Sequence, residues 1–204
     1  MGIKIVENDG KVECSFDEIN NTQIHLDFPS VGATENIILA ASLADKKIIT
    51  IGNAAKEPEI VDLCNFLIKM GVKISGAGTS YIKIIGNKNL KEISYDIMPD
   101  RIEAGTYLVA ACMAKGYIKI NKVNPEHLKP ILYKLDEAGV TINVEKNSVS
   151  IKMFKRPNKL EIKTLPYPGF PTDMQSIFGS MLAISKGTST ITENIFENRF
   201  KYMR

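Results

Sequence analysis

Met1-Gly2-Ile3-Lys4-Ile5 returns as Met70-Gly71-Val72-Lys73-Ile74 and again as Ala138-Gly139-Val140-Thr141-Ile142. A self-similar period of about 70 residues marks a chain built from copies of one structural unit. Two further anchors keep the register. An X-Pro pair precedes a helix at Phe28-Pro29, Met98-Pro99 and Phe170-Pro171, and that helix closes at Asp45-Lys46, Lys115-Gly116 and Lys186-Gly187. Ile60, Leu63, Cys64 and Leu67 recur as Leu128, Ile131, Leu132 and Leu135, spaced as one face of an α-helix. Gly71 and Gly139 then stand just past the helix end, where a left-handed residue is wanted.

One unit therefore reads strand, buried helix, strand, amphipathic helix, two strands. Ser148-Val149-Ser150-Ile151-Lys152-Met153 and Leu160-Glu161-Ile162-Lys163 each alternate to give one apolar face. The first helix differs: residues 37–44 and 108–114 are apolar nearly all round, which predicts a helix buried on every side. Sheets with a wet face and helices without one place helices inside and sheets outside. That is an α/β fold of repeated βαβαββ units, the reverse of a barrel whose strands are central. In this register Met1 opens at a turn that elsewhere follows the second helix, and Phe196 to Arg204 ends where a further second helix is due. The expected content is the tail of one unit, two whole units and the head of another.

The bulk properties fit a globular chain. Of 204 residues, 44% are hydrophobic and 24% charged, a balance outside the disordered range. The net charge of +3 is dispersed, without the basic stripe of a nucleic-acid binder or a membrane-surface patch. The longest near-apolar run, residues 37–44, is too short to span a bilayer, and the N-terminus lacks a signal-peptide pattern. Cys14, Cys64 and Cys112 are widely spaced, without a disulfide framework or zinc spacing. A reducing compartment, and so a cytoplasmic location, is expected.

Few motifs carry chemistry. Cys64 fills the slot of Leu132, Cys14 alternates with Val12 and Phe16, and Cys112 lies in an apolar helix, so all three read as inert buried thiols. His25 and His127 do not pair, and no metal site is expected. Gly76-Ala77-Gly78, between two strands, reads as a hairpin turn. Phe170-Pro171-Thr172-Asp173-Met174-Gln175 has two readings. Thr172 and Gln175 have capping-box spacing, with Asp173 opposing the helix dipole; alternatively, Asp173 is a carboxylate placed to take a proton from a substrate hydroxyl. Phe28-Pro29-Ser30-Val31-Gly32 is the matching segment two units earlier. Either Ser30 simply caps a helix, or the helix end cradles an anionic or carbonyl-bearing ligand, with Gly32 permitting close approach.

Five ordered segments carry a resemblance over essentially the whole chain: Ser30-Val31-Gly32-Ala33-Thr34, residues 53–60, Pro99-Asp100-Arg101-Ile102-Glu103, residues 170–175 and Glu197-Asn198-Arg199-Phe200. Together they closely resemble the UDP-N-acetylglucosamine 1-carboxyvinyltransferases, the enolpyruvyl transferases that open peptidoglycan synthesis. The resemblance implies a fold of two lobes, each an inside-out α/β barrel of three βαβαββ units. Residues 1–97 would be the end of one lobe and 98–204 the start of the other, both incomplete. It implies transfer of the enolpyruvyl group of phosphoenolpyruvate to the 3-hydroxyl of UDP-N-acetylglucosamine, through a tetrahedral intermediate, with release of phosphate and no metal or organic cofactor. Asp173 matches the proton acceptor. Phe28, Pro29, Ser30, Val31 and Gly32 match a uridine and diphosphate segment, Ile195 matches a further nucleotide-sugar contact, and Arg199 lies in a family motif without an assigned role.

The family's cysteine-bearing loop, its lysine–asparagine pair and its late arginines have no counterpart in these 204 residues. The chain alone is therefore expected not to turn over, and its first partners are expected to be the remaining parts of its own two lobes. The alternatives are the related 3-phosphoshikimate enolpyruvyl transferase, a non-catalytic nucleotide-sugar-binding fragment, and a structural or nucleic-acid-binding domain. Dispersed charge and the lack of aromatic stripes count against the last.

Overall fold

The computed structural model describes residues 1–203 and divides into two compact units, Met1–Ile97 and Met98–Arg204. In the first, strands β1 (Lys4–Asn8) and β2 (Lys11–Ser15) form a hairpin. It turns at Asp9 and Gly10, both at positive φ (48° and 74°), as an Asp-Gly turn matched to strand twist requires. Then follow β3 (Thr22–His25), α1 (Val31–Ser42), β4 (Ile48–Gly52), α2 (Pro58–Met70), β5 (Lys73–Ser75) and β6 (Tyr81–Ile85). Their sheet has the order β3-β4-β6-β5. α1 is the crossover between the parallel strands β3 and β4, and the other pairs are antiparallel.

The second unit repeats this plan. It runs α3 (Arg101–Met113), β7 (Tyr117–Asn121), α4 (Pro125–Glu137), β8 (Thr141–Glu145) and β9 (Ser148–Lys152), with the sheet order β7-β9-β8. A partial third copy adds β10 (Glu161–Lys163), α5 (Gln175–Ala183) and β11 (Thr190–Thr192), with β10 and β11 parallel. Gly71 and Gly139 end α2 and α4 at φ +107° and +88°. Lys46, Lys115 and Gly187, which close the first helix of each copy, are also left-handed (φ 58°, 52° and 77°). The turn at Gly76 has φ +83°, and a Cβ there would meet the Tyr81 carbonyl oxygen at 2.0 Å. Only glycine fits.

Each unit has its own core. Ile38, Ile49, Ile51, Ile60, Cys64 and Ile82 are fully buried in the first, and Leu108, Ile131, Leu135, Ile151, Ile162 and Phe178 nearly or fully so in the second. Burying each such aliphatic or aromatic side chain contributes about 1.5–3 kcal/mol. Among the described residues no helix is long and apolar enough to cross a membrane.

Four expectations change. α1 and α3 are not buried on every side: Leu39 of α1 is 49% exposed, Leu43 at its C-cap 60%, and Tyr107 of α3 55%. Each helix packs on its own sheet and on sister helices, and its remaining face lacks a cover within the unit. The first strand of the second copy is not formed, because residues 89–100 run irregularly into α3. β9 is buried on both faces rather than one: it is the central strand between β7 and β8, so Ser148 and Ser150 are buried with Val149 and Ile151. Cys14 is exposed, since every residue of the β1–β2 ribbon is open to solvent. Cys64 and Cys112 are buried, and burial pushes their thiols up to about 11 and about 12.

Candidate active site

In the second unit a polar cluster forms where the segment after β10 meets the segment after β11. The parallel register pairs Lys163 with Thr192 and brings Thr164 beside Glu193. After Thr164 the chain loops out and returns to bridge Thr164 with Phe170. Phe170 packs edge-on against Phe178 of α5, with centroids 4.9 Å apart. Met174 is fully buried, close enough to α3 that a Cβ on Gly105 would lie 3.1 Å from its sulfur. With Phe170 and Met174 anchored inward, the 3₁₀ turn Thr172–Met174 presents Thr172 and Asp173 outward. The Asp173 side chain is 55% exposed.

Glu193 is the hub. Its Oε1 accepts from the Thr164 hydroxyl (2.8 Å), the Ile195 N–H (2.8 Å) and the Phe196 N–H (3.2 Å), and its Oε2 accepts from the Thr172 hydroxyl (2.9 Å). Burial, the largest influence, pushes its carboxyl up. The Ile195 N–H, the Thr164 and Thr172 hydroxyls and the Phe196 N–H together outweigh that and hold it below the usual glutamate range. Asn194 closes the clamp, donating from its N–H to Thr164 Oγ1 (2.9 Å) and from Nδ2 to the Thr164 carbonyl (3.2 Å). Arg199 completes the cluster. Its Nη1 donates to Thr172 Oγ1 at 2.9 Å, its Nη2 meets Asp173 Oδ1 at 2.6 Å, and its guanidinium lies over the Phe196 ring at 5.0 Å.

The Thr172–Gln175 capping box is not made. Thr172 spends its hydroxyl on Glu193, and Gln175 is fully buried, with neither side-chain amide atom hydrogen-bonded. Thr172 Oγ1 is turned toward the β11 segment, donating to Glu193 and accepting from Arg199 Nη1, so neither side-chain acceptor of the expected cap serves a helix N–H. Of the expected site residues, Asp173 and Arg199 are brought into contact. Ile195 lies beside them, its N–H on Glu193. Sequence reasoning passed over Glu193, Thr164 and Thr172 as a hydrogen-bonded set. The one signal for Glu193 was its place just after the alternating strand Thr190-Ile191-Thr192.

Phe28, Pro29, Ser30, Val31 and Gly32 belong to the first unit, at the start of α1. Ser30 caps the helix, its Oγ accepting from the Ala33 N–H at 3.3 Å. Buried Thr34 donates to the Ser30 carbonyl (2.8 Å) and accepts from the Ala55 N–H (3.1 Å). Asn53, at φ 54°, donates to the Leu26 carbonyl (2.8 Å). The turn is thus fixed from below while Phe28 and Gly32 stay exposed, and a Cβ on Gly32 would meet nothing within 4 Å. The first N–H groups of any helix lack helical acceptors and favour an anion or carbonyl oxygen. Behind them, Glu35 is held above its usual range by burial and then by the nearby Glu59 and Glu57 charges. Among the described residues no group of three metal-binding side chains converges.

A family model described as EPSP synthase (3-phosphoshikimate 1-carboxyvinyltransferase) matches residues 1–204. The chain belongs to this family. Among named members, UDP-N-acetylglucosamine 1-carboxyvinyltransferase 2 of Caldanaerobacter subterraneus subsp. tengcongensis is 52% identical over 99% of this chain and 48% of its own length. The UDP-N-acetylglucosamine 1-carboxyvinyltransferase of Ruthia magnifica subsp. Calyptogena magnifica is 53% identical over the whole chain, again 48% of its own length. The chain spans about half the length of the curated relatives it matches. Two solved structures share the fold. The enolpyruvyl transferase NikO from Streptomyces tendae superposes with a TM-score of 0.85 at 21% identity, over 99% of this chain and 51% of that one. EPSP synthase from Acinetobacter baumannii superposes with a TM-score of 0.64 at 16% identity, over all of this chain and 49% of that one. The repeated strand–helix units are therefore the α/β fold of the enolpyruvyl transferases.

Proposed function

We propose that this chain supplies the hydroxyl-activating part of an enolpyruvyl transferase site. That enzyme moves the enolpyruvyl group of phosphoenolpyruvate to the 3-hydroxyl of UDP-N-acetylglucosamine. The observation that carries this reading is Asp173: a half-exposed carboxylate, anchored by buried neighbours and braced by Arg199. Relatives at about half identity carrying the UDP-sugar name support the acceptor.

In the reaction Asp173 takes the proton of the sugar hydroxyl as that oxygen bonds to C2 of phosphoenolpyruvate, while an acid from the remainder of the enzyme protonates C3. The tetrahedral adduct then gives up a C3 proton to a base and breaks its C2–O bond to phosphate, which leaves, re-forming the C2–C3 double bond as the enol ether of the sugar. General base help of this kind is worth about 10²–10⁴ in rate. Arg199, a planar donor fork, is suited to an anionic group of a substrate beside Asp173. The Phe28–Gly32 turn would hold the uridine and diphosphate portion, with Ile195 a further nucleotide-sugar contact. In this reading Met1–Ile97 is the end of one lobe and Met98–Arg204 the start of the other. The enzyme works in the cytoplasm at the first committed step of peptidoglycan synthesis, and so in cell-wall biogenesis, cell shape and division.

The test is UDP-N-acetylglucosamine-dependent phosphate release from phosphoenolpyruvate. The protein assayed joins this sequence to the remaining length its relatives possess, with shikimate 3-phosphate as the rival acceptor. Turnover with the UDP-sugar, crippled by Asp173→Ala, supports the reading. Turnover with shikimate 3-phosphate alone replaces the acceptor.

A further inference from the structure

We propose that Glu193 is the positioning residue of this site: its carboxylate sets the donor direction of the Thr172 hydroxyl and, through Thr172, aims Arg199 at Asp173. The geometry leaves one consistent direction for each proton. A threonine hydroxyl has one hydrogen and two lone pairs, whereas an ionised carboxylate only accepts and a guanidinium only donates. Glu193 Oε2 lies 2.9 Å from Thr172 Oγ1, so the Thr172 hydrogen points at Glu193. The Thr172 lone pairs are then turned to Arg199 Nη1 at 2.9 Å, and the second arm of the same fork reaches Asp173 Oδ1 at 2.6 Å. Thr164 repeats the pattern on the other oxygen, donating to Glu193 Oε1 at 2.8 Å and accepting from the Asn194 N–H at 2.9 Å.

Glu193 therefore ties the end of β10 and the turn at Thr172 to the start of the Ile195–Arg199 stretch that follows it. The four donors that stabilise its charge also keep it an acceptor at neutral pH. Glu193 has no contact with Asp173 among the hydrogen bonds of the cluster and acts on it only through Thr172 and Arg199. Its consequence for catalysis rests on the reading of Asp173 as proton acceptor; the geometry itself does not.

Glu193→Gln separates orientation from shape. The amide oxygen can still serve the Thr164, Ile195 and Phe196 donors, but the amide nitrogen then faces Thr172 and donates where Oε2 accepted. The Thr172 hydrogen loses its acceptor, so nothing fixes the direction of the hydroxyl, and its two lone pairs face the amide N–H as well as Arg199 Nη1. Thr172→Val removes the relay, and Thr172→Ser keeps it. The experiment is side-chain ¹⁵N NMR of Arg199 in the full 204-residue chain. In the parent and in Thr172→Ser, the two Nη groups are expected to give separate, slowly exchanging signals. In Glu193→Gln and Thr172→Val, they are expected to average, with hydrogen exchange on the order of tenfold faster, as befits loss of a charge-assisted hydrogen bond. Backbone signals outside residues 164–175 and 190–200 should stay in place.

Resolved, equally slow Arg199 signals in both Glu193→Gln and Thr172→Val would overturn the proposal. So would unfolding of both variants, which would make the cluster a folding element rather than an orienting one. Asp173→Asn, assayed for turnover in the joined protein, addresses the proton-acceptor reading separately. The positioning result stands whichever way that assay falls.

Discussion

Arg199 and Asp173 meet head to head, Nη2 to Oδ1 at 2.6 Å, although they lie 26 positions apart in sequence. Both side chains remain substantially open to solvent, at 36% and 55%. An exposed pair of this kind contributes about 0–1 kcal/mol to stability, so the contact matters more for where it places charge than for how tightly it holds the fold. Arg199→Ala is accordingly expected to leave the melting temperature of the chain nearly unchanged. In the joined protein it should lower kcat/KM for enolpyruvyl transfer on the order of 10²-fold, the scale seen when a preorganised donor is removed. Arg199→Lys should not restore it, because one ammonium cannot span Thr172 and Asp173 as the fork does. Thermal melting and steady-state kinetics check the two halves.

Glu193 predicts an acid-side weakness. Its carboxyl is held lower in the folded chain than in the unfolded chain, whose value is about 4.3. Its stabilising contribution is therefore complete above that unfolded value and is lost as pH falls through the lower folded one. Hydrogen exchange should show the amides of Ile195 and Phe196 losing protection over that acidic window in the parent chain. Glu193→Gln should remove the pH dependence.

Glu35 predicts the opposite sign. Burial, then the Glu59 and Glu57 charges, raise its carboxyl in the folded chain, so its ionised form is a burden at neutral pH. That burden is absent below the unfolded value and grows as pH rises through the folded one. Glu35→Gln should raise the melting temperature at pH 7 and have little effect near pH 3. Calorimetry at the two pH values distinguishes this from a change in packing.

The cysteines divide by exposure. Cys14 lies on an open ribbon, whereas the Cys64 and Cys112 thiols are buried and pushed up to about 11 and about 12. A water-soluble alkylating reagent at pH 8 should label Cys14 alone in the folded chain and all three thiols in denaturant. Peptide mass mapping reads the outcome.

Much of this architecture was legible in the sequence because helix faces and helix ends repeat visibly. The Ile60–Leu67 and Leu128–Leu135 stripes, and Gly71 and Gly139 behind them, need only local periodicity and backbone conformation. Ser30 was legible as a cap for the same reason. What escaped depends on partners distant in sequence. Cys14 alternates like a core residue, yet nothing in its unit covers the ribbon face. Ser148 and Ser150 look solvent-facing until β9 is known to be the middle strand. Thr172 and Gln175 have the spacing of a capping box, but Thr172 is turned to Glu193, 21 residues beyond it, and accepts from Arg199 instead of a helix N–H. Asp173 and Arg199 stood out through resemblance to known transferases, and their contact came only with the structure. Glu193 has no motif and is marked in the sequence only by its place just after the alternating strand Thr190-Ile191-Thr192; the parallel pairing of β10 with β11 is what sets it beside Thr164.

The most direct measurement is phosphate release from phosphoenolpyruvate in the presence of UDP-N-acetylglucosamine, by the joined protein and by its Asp173→Ala variant. The account predicts release that requires the UDP-sugar and falls about 10²–10⁴-fold in the variant, the range for loss of a general base. Undiminished turnover by Asp173→Ala would contradict the proton-acceptor role. Release that ignores the UDP-sugar would contradict the proposed acceptor.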